Sequence, residues 1–185
     1  DWDDAALSET LDARAARAYA WMREHTPASM GALLRTPAGW VLSNSPETLV
    51  DVHLDADGAS ARSWPIKGTR ARGSTPEEDA RLARELQASP KDAAEHVMIV
   101  DLVRNDLGRI AVPGSVRAPD RPELVSLPTV HHLVSEVSAR LARDWTLREL
   151  FVALFPGGSV TGAPKRRTVE IIDEPNPLDD ARSTF

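Results

Sequence analysis

The sequence predicts a mixed α and β (α+β) protein built on antiparallel strand pairs. Three observations lead to this fold class: two pairs of short strands separated by Gly-containing turns, three helix starts marked by capping residues, and no regular alternation of strand and helix. A regular alternation would have indicated a doubly wound parallel sheet. The pattern therefore favours antiparallel sheets with accompanying helices.

The first part of the chain reads as a helix followed by two hairpins. Residues 8–25 carry an apolar stripe at helical spacing, formed by Leu11, Ala15, Ala18 and Met22. Residues 31–44 read as two strands around a Pro-Ala-Gly turn. A second pair, near 49–54 and 59–66, surrounds the sequence DADG.

Capping residues mark the helices that follow. Thr75, with Pro76 at the first helical position and Glu78 as its capping-box partner, predicts a helix ending near Ser89. Ser89 repeats this signal and opens a longer helix that runs to about Asp106 and is closed by Gly108.

The rest of the chain alternates strands, a helix, a loop and a final helix. Strands are predicted around 109–117 and 129–139, and a third capping box begins a helix over 146–155. The sequence PGGSVTGAP reads as a loop, and the last helix starts at Pro164. The polar, proline-broken segment 175–185 reads as a mobile tail.

Composition excludes several classes of protein. The chain has 185 residues, which suits one domain, with 42% hydrophobic and 27% charged residues, as in a globular protein. The net charge of −6 argues against nucleic-acid binding, and no apolar run is long enough to cross a membrane. The absence of cysteine excludes disulfides and thiolate metal sites. The N-terminal sequence does not resemble a leader, so we expect a cytoplasmic protein.

Lys67 stands out among the basic residues. Only three of the 22 basic residues are lysines, and Lys67 lies between an apolar strand end and a glycine in WPIKGTRARG. Codon bias explains an excess of arginine, but lysine can lose its proton and arginine cannot. The position of Lys67 therefore indicates an amine directed at a specific target.

Two acidic clusters lie on the long helix. Asp92 and Glu95 share a face above an apolar stripe, and each is either a helix-dipole partner or a ligand for a hard cation such as Mg²⁺. The sequence VDLVRNDLGR, residues 100–109, holds acidic and basic side chains that internal pairing and helix capping explain. Glu47, at a bend between strands, reads by itself as a surface carboxylate.

Two further motifs invite a functional interpretation. His131 and His132 are adjacent in an alternating strand, so one faces inward, where a histidine is more often a hydrogen-bonded core residue than a catalyst. GGSVTGAPKRR lacks the Lys-Ser/Thr pair of a P-loop, but a glycine-rich loop before a helix is an anion-binding shape. The basic residues 165–167 oppose the helix dipole, which suggests that an anion binds there.

Five motifs, in this order and spacing, resemble the chorismate-utilizing enzymes, which include anthranilate synthase component I and the isochorismate and salicylate synthases. They are SPETLV, PIKGTRARG, EHVMIVDLVRNDLGR, VHHLVS and FPGGSVTGAPK. The resemblance covers about residues 29–174 and implies antiparallel sheets packed between outer helices. In the PIKGT motif, the lysine resembles the residue that aminodeoxychorismate synthases carry at this position, whereas anthranilate synthases carry alanine there.

The resemblance implies a role for several residues. Lys67 resembles the nucleophile that attacks C2 of chorismate, with Pro65 and Ile66 lining its pocket, and Glu47 resembles the general acid for the departing C4 hydroxyl. A free lysine amine has a pKa of about 10.4, so the nucleophile needs desolvation or a nearby cation. Glu95 resembles a Mg²⁺ ligand. The residues that resemble substrate-binding positions are Gly68, Thr69 and His132.

The resemblance also implies partners and limits. Ammonia would come from glutamine through an amidotransferase subunit, and the product, 4-amino-4-deoxychorismate, leads to p-aminobenzoate and folate. Compared with the family, residues 1–174 would form a partial catalytic domain that is incomplete at both ends, and 175–185 match nothing. We therefore expect weak or no activity from these 185 residues alone. The alternatives are an anthranilate synthase component I and a non-catalytic remnant that binds only chorismate or a partner.

Overall fold

The computed structural model describes residues 11–174, which form two compact units divided after Thr48. The first unit contains the helix α1 (Leu11–His25) and a hairpin of β1 (Met30–Thr36) and β2 (Gly39–Ser45). The predicted hairpin is confirmed, and Gly39 follows its turn with φ +132°, a conformation that favours glycine. The predicted helix start at residue 8 lies outside the described residues.

The second unit contains two antiparallel sheets of three strands each. One sheet has the order β3 (Asp51–Asp55), β4 (Gly58–Ser63), β8 (Val137–Arg140), and the other the order β5 (Ile66–Ala71), β7 (Val130–Val134), β6 (Glu123–Ser126). The helices are α2 (Pro76–Ala88), α3 (Pro90–Gly108), α4 (Leu147–Leu154), α5 (Gly158–Thr161) and α6 (Lys165–Asp173). The predicted α+β class and antiparallel pairing are confirmed.

Local capping determines where the helices begin, as predicted. The side chains of Thr75 and Ser89 accept hydrogen bonds from backbone N–H groups in the first turns of α2 and α3. Thr146 and Glu149 form a complete capping box at α4. At α2 the box is not closed, because the Glu78 carboxylate accepts instead from the backbone N–H of Ser74. Gly108 is the last residue of α3 rather than a residue beyond it.

Three predictions about strands and loops are wrong. Residues 109–117 form isolated bridges, Ala111↔Leu141 and Arg117↔Ser138, rather than a strand, since Pro113 and Gly114 (φ +77°) interrupt the extended chain. Residues 129–139 form two strands in different sheets. β7 pairs with β5 up to Val134, and β8 pairs with β4 from Val137 onward. Strand β6 was not predicted, and the predicted loop 156–164 contains the short helix α5.

The main core of the second unit lies where α3 crosses the β3–β4–β8 sheet. Small residues of the sheet allow the helix to approach closely, and α4 covers the other side of the cluster. The central members are Ala61, Ile99, Val103, Leu107, Val137, Ala139, Leu150 and Leu154. This packing fixes α3, and therefore the side chains near its N-terminus, relative to β5. Among the described residues, no helix has both the length and the apolar character that crossing a membrane requires.

Candidate active site

The candidate site is centred on a bulge in β5. Ile66 pairs with Val134, but the next pairing joins Thr69 to His132, so Lys67 and Gly68 together face one residue of β7. A bulge of this kind turns a side chain away from the regular alternation of the strand. Lys67 is therefore directed by the bulge rather than by the pleat of the sheet. The sequence did not predict this irregularity.

Gly68 makes the bulge possible. Its φ is +86°, which disfavours any residue with a Cβ atom. A Cβ atom built there would lie 3.1 Å from both Leu86 Cδ1 and Leu133 Cδ1. The backbone conformation and the close packing are thus sufficient to explain why glycine occupies position 68, whether or not this residue contacts a substrate.

The amine of Lys67 has two neighbours from different elements. Its Nζ donates a hydrogen bond to the carbonyl oxygen of Ser159 over 3.3 Å and lies 3.8 Å from Glu95 Oε1. The side chain of Lys67 is 23% exposed, so the amine is sheltered but reachable. The structure brings together Lys67 on β5 and Glu95 on α3. Pro65, predicted to line the pocket, is fully buried.

His96 is a part of this region that sequence reasoning missed. The side chain is 1% exposed, with Nδ1 lying 3.3 Å from the carbonyl oxygen of Lys67 and Nε2 lying 2.8 Å from Ser135 Oγ. Because a carbonyl only accepts, Nδ1 carries the hydrogen and Nε2 accepts from the Ser135 hydroxyl. Burial lowers the pKa of His96, which favours this neutral form. His96 therefore fixes the backbone of the bulge, and its position next to Glu95 was the only signal in the sequence.

The two adjacent histidines have different environments, as strand alternation predicts. His131 is buried and bonded on both nitrogens, to Ser126 Oγ (2.8 Å) and to Asp79 Oδ1 (3.0 Å). His132 is half-buried, and its Nδ1 lies 2.9 Å from Thr69 Oγ1. The structure thus places two predicted substrate-binding residues, Thr69 and His132, side by side on paired strands, and the inward histidine is His131.

Asp92 is bonded to groups of the protein itself near the start of α3. A hydrogen bond with Ser89 and the guanidinium of Arg70, 2.9 Å away, hold the pKa of Asp92 below its usual range. Residues 11–174 contain no group of three His, Asp or Glu side chains that could hold a metal ion. Magnesium usually keeps several waters and takes one or two protein carboxylates together with substrate oxygens. Glu95 as a magnesium ligand therefore stays a prediction.

Glu47 belongs to the first unit and follows β2. Its backbone N–H donates to Ser45 Oγ, and the Ser45 hydroxyl faces the Glu47 carbonyl oxygen at 3.1 Å. These contacts form a tight turn in which the Glu47 side chain is half-buried. Its role as a general acid stays a prediction.

The basic residues that begin α6 already have carboxylate partners. Lys165 Nζ lies 2.6 Å from Asp106 Oδ2, and both Arg166 and Arg167 pair with Glu170. The protein itself therefore supplies negative charge at this helix start, so the basic residues do not require an external anion. Anion binding at the glycine-rich loop stays a prediction. The predicted internal pairing in residues 100–109 is confirmed for Arg104 and Asp101, which lie 2.8 Å apart.

Comparison with known proteins agrees with this architecture. The profile of the "chorismate binding enzyme" family matches residues 5–179. The aminodeoxychorismate synthase component 1 of Klebsiella aerogenes is 47% identical over 161 residues, which are 87% of this chain and 35% of that protein. An anthranilate synthase component 1 of Haloarcula marismortui is 44% identical over 94% of this chain and 36% of its own length.

A solved structure shows the same fold. Anthranilate synthase component I from Streptococcus pneumoniae superposes with a TM-score of 0.70 at 34% identity, covering 83% of this chain and 32% of that one. The chain thus spans about a third of the length of these relatives. The family match over residues 5–179 and the 47% identity over 87% of the chain lead to one conclusion: the chain belongs to the family of chorismate binding enzymes.

Proposed function

We propose that this chain carries the nucleophile-bearing part of an aminodeoxychorismate synthase component 1. The observation that carries the proposal is the amine of Lys67, turned by the β5 bulge toward Ser159 and Glu95. The 47% identity to a relative of that name supports it. The reaction would convert chorismate and ammonia to 4-amino-4-deoxychorismate and water.

The proposed chemistry proceeds in two displacements. The neutral amine of Lys67 forms a bond to C2 of chorismate, both conjugated ring double bonds shift by one position, and the C4–O bond breaks; the new secondary ammonium loses one proton. Glu47 gives the leaving hydroxyl a proton, so that it departs as water. Ammonia then attacks C4, both double bonds return to their original positions, and the C2–N bond breaks; the proton lost by the new C4 ammonium restores the amine of Lys67. Thr69 and the backbone at Gly68 would bind a substrate carboxylate, and His132 would line the substrate pocket.

Besides chorismate, the proposed reaction involves ammonia and magnesium. Ammonia would be supplied from glutamine by an amidotransferase partner, in keeping with the component 1 name of the relatives, and the location would be cytoplasmic. Magnesium would clamp a substrate carboxylate in the family's chemistry, and Glu95 is the residue that would contribute to holding it. No step above depends on the metal.

The rival activity is that of anthranilate synthase, which the 44% identity to the Haloarcula protein supports. That reaction eliminates pyruvate and leaves a fluorescent aromatic product, whereas the proposed reaction retains the enolpyruvyl group. Lys67 favours amination through a covalent adduct. A chain that only binds chorismate would form neither product nor adduct.

The test is mass spectrometry of the intact chain after incubation with chorismate in the absence of ammonia. We expect an adduct of chorismate minus one water on Lys67, formed by the parent chain and by Lys91→Met, but not by Lys67→Met. Lys91 is an exposed lysine and serves as the matched control. An adduct on Lys91 as well, or none in any variant while chorismate binding is measurable, would refute the proposal. With ammonium added, we expect weak or no turnover.

A further inference from the structure

A buried ion pair closes the segment that contains Ser159. Lys165 is the first residue of α6, and its Nζ lies 2.6 Å from Asp106 Oδ2 and donates to the carbonyl oxygen of Leu154 over 3.0 Å. The side chains of Lys165 and Asp106 are 15% and 6% exposed. Since Leu154 ends α4, one ammonium group ties together the two ends of segment 155–164 and fixes both to α3.

Segment 155–164 lies between this pair and Lys67. Within it, Gly158 packs so closely on α3 that a Cβ atom would lie 2.6 Å from Leu102 Cδ2. The next residue, Ser159, supplies the carbonyl oxygen that accepts from Lys67 Nζ. The position of that carbonyl therefore depends on how the segment is held at its ends.

The energetics of a buried pair favour positioning over stability. Burial raises the pKa of Asp106, and the hydrogen bond from Lys165 opposes this shift. Removing water from two charges offsets much of their attraction, so apolar residues of similar size often stabilise a fold equally well. The Lys165 ammonium group must reach both the Asp106 carboxylate and the Leu154 carbonyl oxygen. The pair therefore fixes where the start of α6 and the end of α4 lie relative to α3.

We propose that the Lys165–Asp106 pair is a positioning device for Lys67, acting through segment 155–164 and the Ser159 carbonyl. Its consequence for catalysis rests on the proposed function. Its consequence for the environment of the Lys67 amine does not, and can be measured without any substrate.

The experiment uses the small number of lysines in this chain. Trace labelling with acetic anhydride at one fixed pH, followed by peptide mass spectrometry, reports the reactivity of Lys67 relative to exposed Lys91. In Lys165→Met and in Asp106→Asn, we expect the ratio of Lys67 to Lys91 labelling to rise by about threefold or more, because the hydrogen bond from the Lys67 amine to the Ser159 carbonyl oxygen is lost and the amine becomes more accessible. The control, Arg104→Met, breaks an exposed pair on the same helix and should leave the ratio unchanged.

Each outcome decides for or against the proposal. An unchanged labelling ratio in both variants, with circular dichroism showing a folded chain, would overturn it. Global unfolding of both variants would also count against it, because the pair would then be required by the whole fold and not by this segment. Failure to form a chorismate adduct would refute the proposed function while leaving the labelling result intact.

Discussion

Replacing Gly68 with alanine tests whether the β5 bulge depends on glycine for reasons internal to the fold. Alanine would have to adopt φ near +86°, and its Cβ atom would lie 3.1 Å from the terminal carbons of both Leu86 and Leu133. Two costs therefore add: a backbone cost for an L-residue in the left-handed region and a packing cost in a crowded place.

The two costs have separate magnitudes. The backbone cost is about 1–2 kcal/mol for one residue. The packing cost is about 1–3 kcal/mol, because Leu86 is completely buried and Leu133 nearly so, and neither can move freely. We expect Gly68→Ala to lower the free energy of unfolding by about 2–5 kcal/mol.

Gly114 provides the matched control. Its φ is +77°, close to that of Gly68, but no heavy atom outside its immediate chain neighbours lies within 4 Å of the Cβ position. Gly114→Ala should therefore show the backbone cost of about 1–2 kcal/mol alone. Urea unfolding of both variants, followed by circular dichroism, gives the difference. If the two variants lose the same stability, the packing argument at the bulge is wrong.

Two further predictions concern a helix cap and a surface network. Thr146→Ala removes the capping box of α4 and should lower the free energy of unfolding by about 0.5–2 kcal/mol in urea, whereas Thr168→Ala, in an exposed helical turn, should cost less. The guanidinium of Arg72 and the backbone N–H of Gly73 hold the pKa of Asp79 well below its ordinary value of 3.8. The stabilisation that the charged Asp79 carboxylate contributes to the fold is therefore complete above about pH 4, and it is lost as the pH falls toward the folded-state pKa of Asp79. Unfolding measured from about pH 2 to 6 should show a weaker pH dependence in Asp79→Asn than in the parent chain, and parallel curves would contradict this account.

Local signals in the sequence predicted the helix starts well. Thr75, Ser89 and Thr146 cap the helices that were expected to follow them, because an N-cap hydrogen bond joins residues only three positions apart. The hairpin turns at Gly39 and around DADG were predicted for the same reason, since their geometry depends on a few consecutive residues.

Strand pairing was predicted less well because it depends on distant segments. Residues 129–139 alternate as one strand would, yet the chain divides them between two sheets, since their partners β4 and β5 are themselves separated between Ser63 and Ile66. Residues 109–117 form only isolated bridges for a local reason, because Pro113 and Gly114 interrupt the extended chain. For residues 129–139, nothing within the segment specifies which partner strands are in reach.

The candidate site shows the same division. The motifs identified Lys67 and Glu95 as functional residues, and the structure places their side chains 3.8 Å apart. His96 was missed because a buried histidine on a helix has no distinctive spacing. The partner of Lys165 was also missed, because Asp106 lies far away in the chain and only the packing of α3, α4 and α6 brings the two together.

Consecutive or closely spaced residues were enough to identify the family, the helix starts, the hairpin turns and the reactive amine. Packing between distant segments set where that amine points, what holds its backbone and which carboxylate pairs with Lys165. Those features depend on contacts between residues 29 to 92 positions apart, as for His96 with Lys67 and Lys67 with Ser159. Such contacts exist only once the sheets and helices have packed.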